Sequence, residues 1–150
     1  MKFFAAAVAF AVAAVAYAEP APAFTDCSNN ADLTINTFSI SPYPLCVGKK
    51  VCATGTGKLH APVTAPATLN VIGQYFGMNV YTDTQDLCAL LAAEGHPCPV
   101  PVTLNAITSC INVKGDAPTG IPVTLTVSAT NGNGNTLFCQ TASGVTAANC

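Results

Sequence analysis

The chain has no arginine, no tryptophan and few charges of either sign: five lysines and seven acids, 8% of 150 residues. These scarcities exclude classes of partner. A handful of scattered lysines cannot neutralise a run of phosphates, so nucleic acid is not a partner. The same shortage argues against tight electrostatic docking on anionic membranes. A G-x-S-x-G nucleophile elbow, a C-x-x-C pair and an Asn-x-Ser/Thr acceptor are also missing. Serine-hydrolase chemistry, thioredoxin-like exchange and N-glycosylation therefore have no local motif to rest on. His60 and His96 are the only histidines and read as solvent-facing loop residues.

Apolar residues, in contrast, are plentiful at 51%, and part of that share opens the chain. Met1 and Lys2 precede an apolar run from Phe3 to Val15, and Ala16-Tyr17-Ala18 forms a small-x-small cleavage site. This is the pattern of a secretory signal peptide, residues 1–18, too short and wrongly flanked for an anchor. Cleavage before Glu19 would leave a short extended tail, 19–23, and a single domain, 24–150. No later stretch is apolar enough to span a bilayer, and the remaining four lysines and seven acids set the mature chain near −3. The surplus of apolar residues points to extra burial or to an apolar cavity.

All eight cysteines (Cys27, Cys46, Cys52, Cys88, Cys98, Cys110, Cys139, Cys150) fall in the mature part. An even count in an oxidising compartment reads as four disulfides, with on the order of a hundred pairings open. Cys88 and Cys98 bracket a short apolar run that ends in Gly95, His96 and Pro97. Their spacing fits neither a zinc knuckle nor a redox pair, so they read as a staple.

The periodicity is that of strands. Leu33 with Ile35 and Phe38 with Ile40 form strand-like pairs ended by Pro42 and Pro44. Val51 to Leu59 follows. Thr68 to Tyr81 is the longest β-like stretch, and its phase slips near Gly73, where a bulge is expected. Val102 to Val113, Ile121 to Ala129 and Leu137 to Val145 complete the set. The last two are joined by ATNGNGNT, whose Asn-Gly dipeptides signal a hairpin. One helix is expected within Thr82 to Gly95, near 84–94, closed by Gly95 and Pro97. Asp83, Asp86 and Glu94 there complement a helix better than they make a catalytic pair. Short strands with turn signals at this spacing predict an all-β sandwich or barrel.

The order of motifs is similar to that of a known family. FTDC at Phe24 to Cys27, SPYP at Ser41 to Pro44, ATGTGKL, DLC at Asp86 to Cys88, CPV at Cys98 to Val100, IPVTLTVSA and TLFC at Thr136 to Cys139 occur in sequence. Together they resemble the ML (MD-2-related lipid-recognition) domain. Niemann-Pick type C2-like proteins and fungal phosphatidylglycerol/phosphatidylinositol transfer proteins are the nearest in look.

The resemblance implies an immunoglobulin-like β-sandwich of two antiparallel sheets with a lipid cavity between them. It also implies Cys27–Cys139 and Cys88–Cys98 bridges. The first closes a loop of over a hundred residues, a constraint worth about 4–5 kcal/mol in the chain-entropy picture. The chain departs from the family at Tyr43, where Niemann-Pick type C2-like proteins carry a cysteine. That leaves three pairings for the other four cysteines, of which Cys46–Cys52 with Cys110–Cys150 is the expectation.

Function follows from the same source. The expected protein is a secreted carrier, outside the cell or in a vacuole- or lysosome-like lumen. It would hold one phospholipid or sterol between its sheets and deliver it to membranes as a monomer in transient contact, with no catalytic residue, metal or cofactor. The expected lining residues are Val71, Phe76, Met78, Val80, Ile107, Val123, Leu125 and Val127. The alternative is an extracellular recognition protein that presents a lipid or a surface to a receptor. Tyr43, Tyr75 and Tyr81 would then be its aromatic anchors.

Overall fold

The computed structural model describes residues 19–150, and the expected signal peptide, 1–18, lies outside them. Ten strands and one helix follow in order: β1 (Thr25–Asp26), β2 (Leu33–Ser41), β3 (Leu45–Cys46), β4 (Lys50–Leu59), β5 (Thr68–Tyr75), β6 (Met78–Asp86), α1 (Leu87–Ala93), β7 (Ala106–Asn112), β8 (Val123–Thr130), β9 (Thr136–Val145) and β10 (Ala147–Ala148). One sheet has the order β1-β9-β8-β5-β6 and the facing sheet β2-β4-β7, both antiparallel. A short parallel ribbon, β3 with β10, closes one end. The architecture is the immunoglobulin-like sandwich that the family resemblance implied, the sandwich among the two all-β forms that the strand spacing allowed.

Strand alternation sends every second side chain inward. On β8 the buried set is Leu125, Val127 and Ala129, and on β5 it includes Leu69 and Val71. These meet Leu87 and Leu91 of α1 and Val63, Val100 and Leu137 in the larger core cluster. A smaller cluster of Ile40, Val51, Val113 and Ala117 lies at the opposite end of the three-stranded sheet.

Two expectations about local structure are corrected. Thr68 to Tyr81 is not one strand: β5 and β6 form a hairpin with Tyr75 opposite Met78, the bulge falling between Gly73 and Gln74. The turn residues Phe76 (φ 48°) and Gly77 (φ 77°) both take positive φ, as the two-residue turn that suits strand twist requires. The Asn-Gly segment joins β8 and β9 in the expected hairpin, through a five-residue connection, 131–135, closed by Asn131 N–H donating to the Asn135 carbonyl at 2.9 Å.

The helix is also shorter than its sequence signal. Thr82 to Asp86 stays in β6, because β5 offers it a complete ladder from Ile72↔Thr82 to Thr68↔Asp86. α1 starts only where Asp86 caps it, accepting from Ala89 N–H at 3.1 Å. Gly95 (φ 89°) follows its end.

The disulfides are Cys27–Cys139, Cys88–Cys98, Cys46–Cys150 and Cys52–Cys110. The expected Cys46–Cys52 and Cys110–Cys150 pairings are therefore wrong, for a topological reason. Cys52 and Cys110 are register partners on adjacent strands, with Cα atoms 4.0 Å apart. Cys46 pairs in register with Ala148 across β3–β10, which brings Cys150 within reach at a Cα separation of 5.5 Å.

At the end of the sandwich away from that ribbon, a polar knot joins the sheets. Buried Asp32 accepts from the side-chain amides of Asn131 (2.9 Å), Asn133 (2.8 Å) and Asn135 (3.2 Å). Asn131 also donates to the Pro62 carbonyl and accepts from Thr64 N–H. Gly132 belongs there because a Cβ would collide with the Thr64 carbonyl.

The amides, Asn131 foremost, hold the Asp32 carboxyl below the usual range. A lowered folded-state value means that its stabilisation is complete above the ordinary aspartate pKa of about 3.9. It is lost as pH falls through the folded value. Asp32→Ala is expected to cost about 1.5–3 kcal/mol in chemical denaturation at neutral pH. The gap to wild type should close below the ordinary aspartate range; a gap independent of pH would contradict the assignment.

Candidate functional site

The inward residues of β4 are Val51, Ala53, Gly55, Gly57 and Leu59, large at both ends and small in the middle. Ala53, Gly55 and Gly57 leave the space that larger side chains would fill. Gly73 on β5 repeats the omission on the facing sheet. At Gly57 a Cβ would strike the Thr34 carbonyl, so the β2 bulge between Ile35 and Thr37 also requires glycine there. The result is an apolar cavity of about 160 Å³ between the sheets. Apolar cavities of roughly 150 Å³ stay dry and admit a small apolar group. Sites for drug-sized ligands reach about 300–1,000 Å³, so a whole lipid requires the sheets to part.

The edges of the sandwich differ in chemistry. On the β2–β9 side, Phe38 packs against Phe24 (centroids 4.9 Å) and Phe138 (6.3 Å), an aromatic seam between the sheets. On the β6–β7 side the closure is polar. Lys114, just beyond β7, sets its Nζ 3.1 Å from Asp83 Oδ1 and donates to the Thr82 carbonyl at 2.8 Å. Asp83 is buried while Lys114 keeps its outer face in solvent. Gln85 Nε2 completes the satisfaction of the carboxylate at 2.9 and 3.1 Å. Tyr81 lines the cavity beneath this clasp, its hydroxyl accepting from Lys114 N–H at 3.4 Å, and burial raises its pKa.

Of the expected lining residues, Val71, Ile107, Val123, Leu125 and Val127 border the cavity. Phe76, Met78 and Val80 do not. The turn at Phe76-Gly77 carries Phe76 (85% exposed) and Met78 (65% exposed) out to the hairpin tip. Val80 falls on the face of β6 opposite the cavity-lining Tyr81. Composition drew attention to large apolar residues, whereas the cavity depends on small ones in VCATGTGKL, a string whose alternation of small and polar residues carried that signal. The three acids near α1 do separate work: Asp83 holds Lys114, Asp86 caps the helix, and Glu94 lies 3.8 Å from Lys50. Among the described residues no cluster of three or more His, Cys, Asp or Glu could hold a metal ion.

The β-sandwich encloses an apolar cavity instead of a filled core, tied at its rim by aromatic, polar and disulfide contacts, and has room there for an apolar group. A family model described as the ML domain matches residues 21–144. The chain belongs to the ML domain family.

Among solved structures it is similar to a Niemann-Pick type C2 protein from the Japanese carpenter ant, with TM-score 0.63 and 13% identity, over 83% of this chain and 98% of that one. Chicken MD-1 complexed with lipid IVa gives TM-score 0.51 and 13% identity over 82% and 87%. The C-terminal domain of wzt gives 0.54 and 12% over 88% and 81%. At such identities these likenesses speak for the fold. Among curated proteins no sequence matches.

Ala53→Phe would put a ring into the part of the cavity lined by the smallest residues of β4. The expected outcome is a folded protein with its melting temperature little changed and at least about tenfold weaker uptake of a fluorescent fatty acid, since about 0.8 kcal/mol is lost per CH₂ displaced. Undiminished uptake would place the ligand elsewhere.

Proposed function

We propose that the protein is a lipid carrier, active in an oxidising compartment outside the cytosol, that takes one phospholipid or sterol between its sheets and delivers it to membranes. The observation that carries this reading is the apolar cavity itself, kept open by Ala53, Gly55, Gly57 and Gly73 in a family of lipid-recognition domains. Burying hydrocarbon there supplies the binding energy without any bond being made or broken. Chicken MD-1 was solved with lipid IVa, which supports a lipid as the class of ligand. Four disulfides suit the oxidising compartment.

Delivery needs a surface that a membrane accepts, and the β5–β6 tip supplies one. Tyr75 and Phe76 stack edge to face at 4.5 Å, with Met78 beside them. No charged residue occurs between Lys58 and Asp83. The tip lies one short turn beyond Gly73, at the cavity end bordered by Tyr81, Ile121 and Val123. A bulky residue at positive φ costs about 1–3 kcal/mol, and Asn would suit that turn better. Phe76 in that position therefore points to a use for its exposed ring.

Transfer of a fluorescent phospholipid or sterol between phosphatidylcholine vesicles tests both parts. Wild type should accelerate it; no acceleration would defeat the carrier reading. Phe76→Asn combined with Met78→Ser should keep ligand binding and fold stability while slowing transfer about tenfold or more, given roughly 1.5–3 kcal/mol per buried Phe or Met side chain. Equal transfer by the variant would remove the tip from the mechanism.

A further inference from the structure

We infer that Ser109 is a specificity contact inside the cavity, and that the ligand is an aliphatic amphiphile bearing a hydroxyl or carbonyl oxygen on its apolar body, away from its head. The inference rests on the carrier reading and narrows its ligand.

Ser109 sits on β7 between Ile107 and Ile111, in register with Ala53 of β4. All four residues border the cavity. The alternate residues of β7 face out: Thr108 Oγ1 meets Thr54 Oγ1 at 3.1 Å, and Cys110 is bridged to Cys52. The Ser109 hydroxyl oxygen is buried and has no hydrogen-bond partner among the described residues.

The other polar residues along the lining are spoken for or lie at the rim. Tyr81 OH accepts from Lys114 N–H, Thr56 Oγ1 bonds Thr37 Oγ1, Thr146 Oγ1 bonds Tyr43 OH, and Asn105 is exposed. Buried polar side chains are nearly always paired. An alanine or valine would line this wall without an orphaned oxygen, and valine would suit the strand better. The hydroxyl has no partner among the described residues of the closed protein, and a ligand that enters between the sheets can give it one.

A plain hydrocarbon chain cannot supply that partner, whereas a hydroxyl or carbonyl carried to mid-cavity can. A flexible chain can enter a space of about 160 Å³ with the least parting of the sheets. As the sheets part for the ligand, the oxygen now covered by its neighbours is uncovered.

Oleic and ricinoleic acids differ by a single mid-chain hydroxyl and provide the test. Their affinities would be measured by displacement of a dansyl-labelled fatty acid from wild type, Ser109→Ala and Ser109→Thr, with a phosphatidylcholine as a third competitor. Wild type and Ser109→Thr should bind ricinoleic acid about fivefold more tightly than oleic acid, the net effect of one buried hydrogen bond. Ser109→Ala should bind the two equally, with an unchanged or raised melting temperature, because it loses an unpartnered group. Equal affinities in wild type, or a preference that survives in Ser109→Ala, would overturn the inference and leave the carrier intact. Displacement by the phospholipid but by neither acid would do the same. Displacement by none of the three would defeat this inference, and the carrier reading with it if cholesterol, added as a fourth competitor, also failed to displace the probe.

Discussion

Two sheets whose facing surfaces do not fill the space between them must be held at their margins, and the rest of this structure answers that requirement. The small residues of β4, Ala53, Gly55 and Gly57, forgo burial that a packed sandwich would use. Dispersion and hydrophobic contacts missing from the centre have to be offset elsewhere, because an unfilled core costs stability in proportion to its void. The offsets lie around the rim. The Phe24–Phe38–Phe138 seam closes one edge, the Lys114–Asp83 clasp the other, and the Asp32 knot one end.

The disulfides follow the same logic. Cys27–Cys139 lies within the five-stranded sheet and Cys52–Cys110 within the three-stranded one, so each stiffens a wall without joining the walls. Cys46–Cys150 links the segment after β2 to the segment after β9, at one end of the sandwich. The middle of the two sheets is left uncrosslinked, free to separate around a ligand larger than the closed cavity. The β6–β7 edge is closed by a partly solvated ion pair and the opposite edge by packed rings, so on the proposed reading the former would part at lower cost. In the proposed carrier, the exposed Phe76 and Met78 at the neighbouring hairpin tip would meet the membrane beside this edge.

The fold was legible because its signal is periodic. Val123, Leu125 and Val127 alternate without interruption, and a leader of secretory pattern ahead of eight cysteines pointed to disulfide staples. The turn at Phe76-Gly77 was not legible, since Phe is among the residues least expected at positive φ, and so three residues of the tip were read as lining. The pairing of Cys46, Cys52, Cys110 and Cys150 depends on which strands become neighbours, a non-local fact that spacing along the chain does not carry. Ser109 was silent for a related reason: a serine in a strand is informative only once its oxygen is seen to face an apolar wall with no partner. Lys114 and Asp83, thirty-one positions apart, likewise meet only because β6 and β7 border opposite sheets.

The central claim is that the space between the sheets holds a lipid. Native mass spectrometry of the protein purified from its own cells and their medium, with lipid extraction from the same sample, tests it most directly. The account predicts one lipid per chain, released on unfolding and absent from an Ala53→Phe sample prepared alongside. Protein that is uniformly empty, and that takes up neither phospholipid nor sterol when offered them, would contradict it.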